Sequence, residues 1–425
     1  MTTVDVMSPI PTDTAAWTAR LRPCPPPYRA MLAVCSDLDE TPDRQTYAEI
    51  ARFLNTMDQT AMGPGVGLEI GNTIYFDMPA GQFSYWNTDD AGRAMVHAMV
   101  RSGHIDCLHS YGDFATTRAH AEKAQAALAK HDCRLEVWVD HAQAASNFGA
   151  DIMVGSGDVP GHGVYHADLT CAAGVAYVWR GRVTSVIGQD VPRSLTGVFN
   201  ASHPLASSRA VAKEFAKGIL ARRGDAKYAM HAPNEVLRPA RLRDGRPVIE
   251  FLRANPFWGG VENAATADGI AEVLTEPMLR RLTERGGVSI VYTHLGKVRD
   301  PRVPFGSETV AAFRRLADFQ RRGEILVTTT RRLLGYRRAV REARVEFSTH
   351  GDKLHVRIDV PEAKADAPPP ITPRDLEGLT VEIPADRPTR MFVGEREIRP
   401  ILTPAAGPGR WWATVPWTRL EFPTL

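Results

Sequence analysis

Long apolar runs are missing from this sequence: nowhere in its 425 residues do about eighteen apolar positions follow one another, so it offers no candidate for a helix crossing a bilayer. Charge of one sign is missing too. Lys and Arg number 51 and Asp and Glu 49, a formal charge of +2, which gives no reason to expect nucleic acid or an acidic membrane as partner. Cysteine is sparse, and Cys24, Cys35, Cys107, Cys133 and Cys171 include no CxxC pair; they read as small buried hydrophobes of a reducing compartment. No apolar N-terminal segment with a basic flank appears, and a cytoplasmic protein is the expectation. The Gly-rich stretch at 152–166 is no phosphate loop, because no GxxxxGKS/T follows a strand. Internal repeats are absent as well.

What is present is an alternation of short apolar runs with helical periodicity. Residues 1–27, rich in Pro, Thr and Ser, read as a surface arm. From 28 to 342, apolar runs at 30–34, 72–78, 105–108, 134–139, 174–179, 248–252, 288–292 and 325–328 are separated by helix-like stretches. In the stretch 90–102, Ala91, Ala94, Met95, Ala98 and Met99 recur at spacings of three and four, and Gly103 ends it. Strand, helix, strand, helix at this pitch predicts an α/β domain of parallel strands with crossovers. After residue 343 the pattern turns to short alternating runs between turn residues, among them LHVRIDV, GLTVEIP and WWATVPW. That predicts a small C-terminal antiparallel β-sandwich over 343–425, in a chain long enough for a barrel-sized domain plus something smaller.

Polar residues collect where the apolar runs end, which is where α/β barrels keep their chemistry. The run at 105–108 delivers His109, Ser110, Tyr111 and Asp113 into a loop, and the first run enters Asp37-Leu38-Asp39, two carboxylates on one side of a continuing strand. The run at 288–292 ends in Thr293-His294. The run at 134–139 carries Trp138 and leads into Asp140, His141 and Asn147; Arg180 follows 174–179, and Trp258 stands beside Gly259 and Gly260. An Arg at a strand end suits an anionic group, and Trp beside Gly suits stacking on a sugar ring.

Three of these stretches resemble the motifs of the polysaccharide deacetylases of the NodB-homology type, carbohydrate esterase family 4. Residues 103–114, GHIDCLHSYGDF, are similar to the family's GHEIGxHTYSH: Gly103, His104, His109 and Tyr111 match, Ser110 replaces Thr, and Asp113 stands where the second metal-binding His is expected. The resemblance spans about residues 28–342 and implies a distorted (β/α)7-type barrel. It further implies Asp37 as catalytic base, Asp39, His109 and Asp113 as ligands of a divalent metal, and His294 as the acid for the leaving group. Zn is the family's metal; Asp in place of His hardens the ligand set and brings in Mn, Fe, Co or Mg. His141, or His162 and His166, are alternatives for completing the set. Trp138, Asp140, His141, Asn147, Arg180 and Trp258 are the expected substrate contacts.

The expected activity is metal-dependent hydrolysis of an amide or ester on a carbohydrate-like small molecule, most simply N-deacetylation. Two rivals stand beside it: a glycoside hydrolase pairing Asp37 or Asp39 with a carboxylate such as Asp140, and an inactive carbohydrate-binding barrel. The sequence leaves self-association open.

Overall fold

The computed structural model describes residues 20–425 apart from 39, 196–197, 199–203, 256–265 and 363–366. Eleven strands form its main sheet: β1 (Ala30–Ser36), β2 (Asn72–Ile74), β3 (Ile105–His109), β4 (Val137–Val139), β5 (Tyr177–Trp179), β6 (Val183–Thr184), β7 (Leu237–Arg241), β8 (Pro247–Phe251), β9 (Arg253–Ala254), β10 (Val288–Thr293) and β11 (Ile325–Val327). Their order is β6-β9-β10-β1-β2-β3-β4-β5-β8-β7, with β11 also on β1. Every pairing is parallel except β7 with β8. The sheet is curled into a half-barrel, a mixed α/β arrangement as the alternation of runs predicts. The antiparallel partner strand β7 was not expected.

Side-chain alternation decides what each face of this sheet carries. Met31, Ala33 and Cys35 of β1 enter one apolar cluster together with Cys107, Val137, Val139, Tyr177, Trp179, Ile249, Phe251, Ile290 and Tyr292. The intervening Leu32, Val34, Leu108, Trp138, Val178 and Val291 enter a second cluster, which the crossover helices cover. Helix Arg44–Asn55 contributes Ile50 and Leu54, and helix Asp90–Ser102 contributes Met95 and Met99. Helix Asp90–Ser102 has the bounds its periodicity predicts: Asp89 caps its start, and Gly103 ends it at φ 82°, the left-handed region in which glycine carries no Cβ penalty.

The last helix, Thr330–Glu342, crosses the amino ends of the strands instead of covering the outside. Leu333, Leu334, Tyr336 and Ala339 join the inner cluster, the Arg331 N–H donates to Asp106 at the start of β3 (2.8 Å), and its guanidinium lies over Tyr177 at the start of β5. Beyond it stand separate sheets. One has four strands, Arg344–His350, Lys353–Asp359, Thr389–Val393 and Arg396–Ile398; the other has three, Thr380–Pro384, Arg410–Thr414 and Ile401–Pro404. All pairs within them are antiparallel except Lys353–Asp359 with Thr389–Val393, whose connection leaves the sheet to form strand Thr380–Pro384 before it returns. The described part of the expected arm is packed down here, with Arg22 donating to the Cys24 and Tyr28 carbonyls and Cys24 2 % exposed. Among the described residues no helix is long and apolar enough to cross a membrane, and all five cysteines are free.

Candidate functional site

At four places in the sheet the inner row of side chains continues past its last apolar residue into a polar one. In β1 Met31, Ala33 and Cys35 are followed in phase by Asp37; in β3 Cys107 is followed by His109; Ile249 and Phe251 are followed by Arg253, and Ile290 and Tyr292 by His294. Period-two alternation therefore brings four polar side chains from four strands to one place.

They meet around the Asp37 carboxylate. Arg253 Nη1 donates to its Oδ2 at 2.9 Å, His109 Nε2 lies 3.3 Å from the same oxygen, and His294 Nε2 lies at 4.0 Å. Asp37 is 1 % exposed, Arg253 0 % and His109 1 %. The Arg253 guanidinium sits over the Trp179 ring at 3.9 Å and near the Tyr292 ring at 4.9 Å, a setting in which a buried cation is held by aromatic faces as well as by its counter-ion. The Tyr75 ring meets those of His109 and His141 edge-on at 4.4 and 5.0 Å, and the two imidazoles are 4.8 Å apart.

Burial alone raises the Asp37 carboxyl, but the Arg253 charge, then His109 and His294, overcome it and hold the group well below the usual carboxylate range. Burial pulls both imidazoles the other way: His109 falls to about 4 and His294 to about 3, with Asp37 opposing the fall in each case. At neutral pH the cluster is thus a fixed anion paired with one guanidinium and flanked by two neutral imidazoles. Several of its buried polar atoms have no hydrogen-bond partner among the described residues: Asp37 Oδ1, both ring nitrogens of His109, and Arg253 Nε and Nη2. Buried donors and acceptors left without a partner are costly unless something else meets them.

These atoms give the test of a metal. His109 offers an unengaged, unprotonated nitrogen of the kind a divalent cation needs. Among the described residues, however, no group of three ligating side chains occurs. Asp39 lies outside the described residues, and Asp113 turns to His141, whose Nε2 is 3.0 Å from its Oδ1. His166 is engaged on both sides, by Thr170 Oγ1 and the Ser146 carbonyl at 2.8 Å each, and His162 is exposed.

The expected substrate contacts divide differently. Trp138 and Asp140 are in phase with each other and out of phase with Val137 and Val139, so they face the helix side; Trp138 Nε1 donates to Asp140 at 2.7 Å. Asp140 also accepts the Phe148 and Gly149 N–H groups at 2.8 and 2.7 Å, and burial pushes it up to about 7 against those bonds. Asn147 exchanges hydrogen bonds with the His141 backbone. These three residues build the loop that holds His141 beside His109. Arg180 pairs with the buried Glu250 at 3.1 Å, and Trp258 lies outside the described residues. Arg253 and Tyr75 were not singled out in the sequence, although the phase of Ile249 and Phe251 points to the first. No protein-family model, curated protein or solved structure matches this chain.

Proposed function

We propose that the Asp37 cluster is the active site of a hydrolase acting on an amide or ester of a carbohydrate-like small molecule. The observation that carries this reading is the meeting of Asp37, His109 and His294, far apart in sequence, with unengaged polar atoms at one end of the sheet. We read the sheet itself as the seven-stranded barrel of the polysaccharide deacetylase type. In support, β8 joins β5 while β9, one residue further on, joins β10, so the stretch around Leu252 touches both flanks of the curled sheet.

In this reading Asp37 takes the proton of the attacking water. A carboxyl held so low is a weak base; a divalent metal on His109, with Asp39 as the pattern assigns and Asp113 once released from His141, would supply the missing acidity of that water. His294 is neutral at rest and must receive a proton before it can give one. At 4.0 Å from Asp37 it is too far for direct transfer, so the proton passes from the carboxyl to the imidazole through one water and on to the leaving amine or alkoxide. Arg253 fixes the carboxylate in position. The glycosidase reading has less support, because Asp140 is enclosed by three donors on the far face of its strand.

Elemental analysis of the purified protein and hydrolysis of N-acetylated and O-acetylated sugars by wild type, Asp37→Asn and His109→Ala test this reading. The expected result is a bound divalent metal that His109→Ala loses, and folded but inactive Asp37→Asn. Metal-free wild type with full activity, or activity unchanged in Asp37→Asn, would overturn it.

A further inference from the structure

Under the amino ends of the strands, on the opposite side from Asp37, a cavity of about 310 Å³ lies between the sheet, the last helix and the C-terminal segments. Arginine dominates its lining: Arg101, Arg134, Arg331, Arg332, Arg374 and Arg419. Four carboxylates line it too, and each already has a partner. Asp106 accepts the Arg331 N–H at 2.8 Å, Glu136 and Asp375 flank the Arg331 guanidinium at 2.6 and 2.5 Å, and Glu377 pairs with Arg332 at 2.7 Å. Arg419 donates to the Gly67 and Leu68 carbonyls.

Arg101, Arg134 and Arg374 are different. All three are exposed, and among the described residues none forms an ion pair; Arg101 donates from Nη1 to the His131 carbonyl at 3.3 Å and keeps its charge without a carboxylate beside it. They come from three separate segments, the end of helix Asp90–Ser102, the entry to β4 and the turn Pro373–Leu376, yet all line one hollow. Three guanidiniums without counter-charge around a hollow repel one another unless an anion enters. The volume is at the small end of metabolite pockets and too small for a peptide, and the planar fork of arginine matches phosphate oxygens in pairs. Val100, Ile105 and Leu420 give the hollow an apolar wall.

We propose that this cavity binds a small organic polyanion carrying two or more phosphate groups, with Arg101, Arg134 and Arg374 as the phosphate contacts. The site is independent of the Asp37 cluster, and neither reading requires the other.

Calorimetric titration of the full chain with fructose 1,6-bisphosphate, and with inorganic pyrophosphate, tests it. Fructose and sulfate at matched ionic strength are the controls. Saturable binding at or below about 1 mM is expected, weakened by about tenfold or more in Arg134→Glu and in Arg374→Glu. Both positions are exposed, so unchanged circular dichroism is expected alongside, and Arg280→Glu on a remote helix should bind as wild type does. Absence of saturable binding by both probes, or equal affinity in wild type, Arg134→Glu and Arg374→Glu, would overturn the proposal.

Discussion

Replacing Arg253 by Met isolates what the buried pair contributes. Methionine fills most of the slot between Trp179 and Tyr292 but leaves the Asp37 carboxylate, 1 % exposed, without its 2.9 Å partner. Removing one member of a buried ion pair costs about 3–5 kcal/mol, to which the lost contact with two aromatic faces adds about 1–2 kcal/mol. The dependence on pH has a definite sign. In the wild type the folded carboxyl is depressed, so its stabilisation is complete above the unfolded value of about 4 and disappears as pH falls through the folded one. In Arg253→Met burial becomes the governing influence and lifts the carboxyl above its unfolded value. The penalty is then full at neutral pH and shrinks on acidification, as Asp37 protonates in place. Urea unfolding of wild type, Arg253→Met, Asp37→Asn and the double variant at pH 7.5 and 5 measures both effects. A coupling of about 2 kcal/mol or more is expected at pH 7.5. Coupling within about 0.5 kcal/mol of zero, or a penalty that does not shrink at pH 5, would refute the reasoning.

Three further outcomes follow from the contacts around the site and the floor. Asp140→Ala strands the Trp138, Phe148 and Gly149 donors and should cost about 3 kcal/mol, with faster amide exchange at Phe148 and Gly149 as the local readout. Gly112 has φ 103°, and a Cβ there would stand 1.9 Å from the Asp77 carbonyl oxygen; Gly112→Ala should cost at least about 2 kcal/mol, whereas Gly161→Ala, at φ 82° in open space, should cost about 1 kcal/mol by thermal unfolding. Arg331→Ala leaves Asp375 buried beside Glu136 without its cation, so a loss of about 3 kcal/mol and earlier proteolytic cleavage within 343–425 are expected.

The sequence carried most of the sheet because its strands are read locally: an apolar run with a turn before it and a helix after it. Helix Asp90–Ser102 was legible to the residue, since Asp89 and Gly103 mark its ends chemically. The phase of the strands held more than was taken from it. Counting in twos from Cys107 reaches His109, and counting in twos from Phe251 reaches Arg253, which a reading that stopped the strand at 252 left in a loop. The same count puts Trp138 and Asp140 on the helix side, away from His109. Other features have no local signature. That Asp140 is enclosed by the loop at Phe148 depends on how that loop folds back, and the parallel pairing of Leu354 with Thr389 depends on a path thirty-odd residues long. Nor does any local pattern show that the final helix turns beneath the strands.

That helix sets how the chain can be divided. Its inward face supplies Leu333, Leu334 and Tyr336 to the interior of the curled sheet, while Arg331, Arg332 and Arg338 reach Asp375, Glu377 and the Pro369 carbonyl on the other side. A cut at 343, where the hydropathy pattern changes, would leave the first piece with a lid stripped of its outer neighbours and the second with acidic groups facing nothing. The two regions are distinct in texture, but they share one keystone and have to be made, purified and unfolded together.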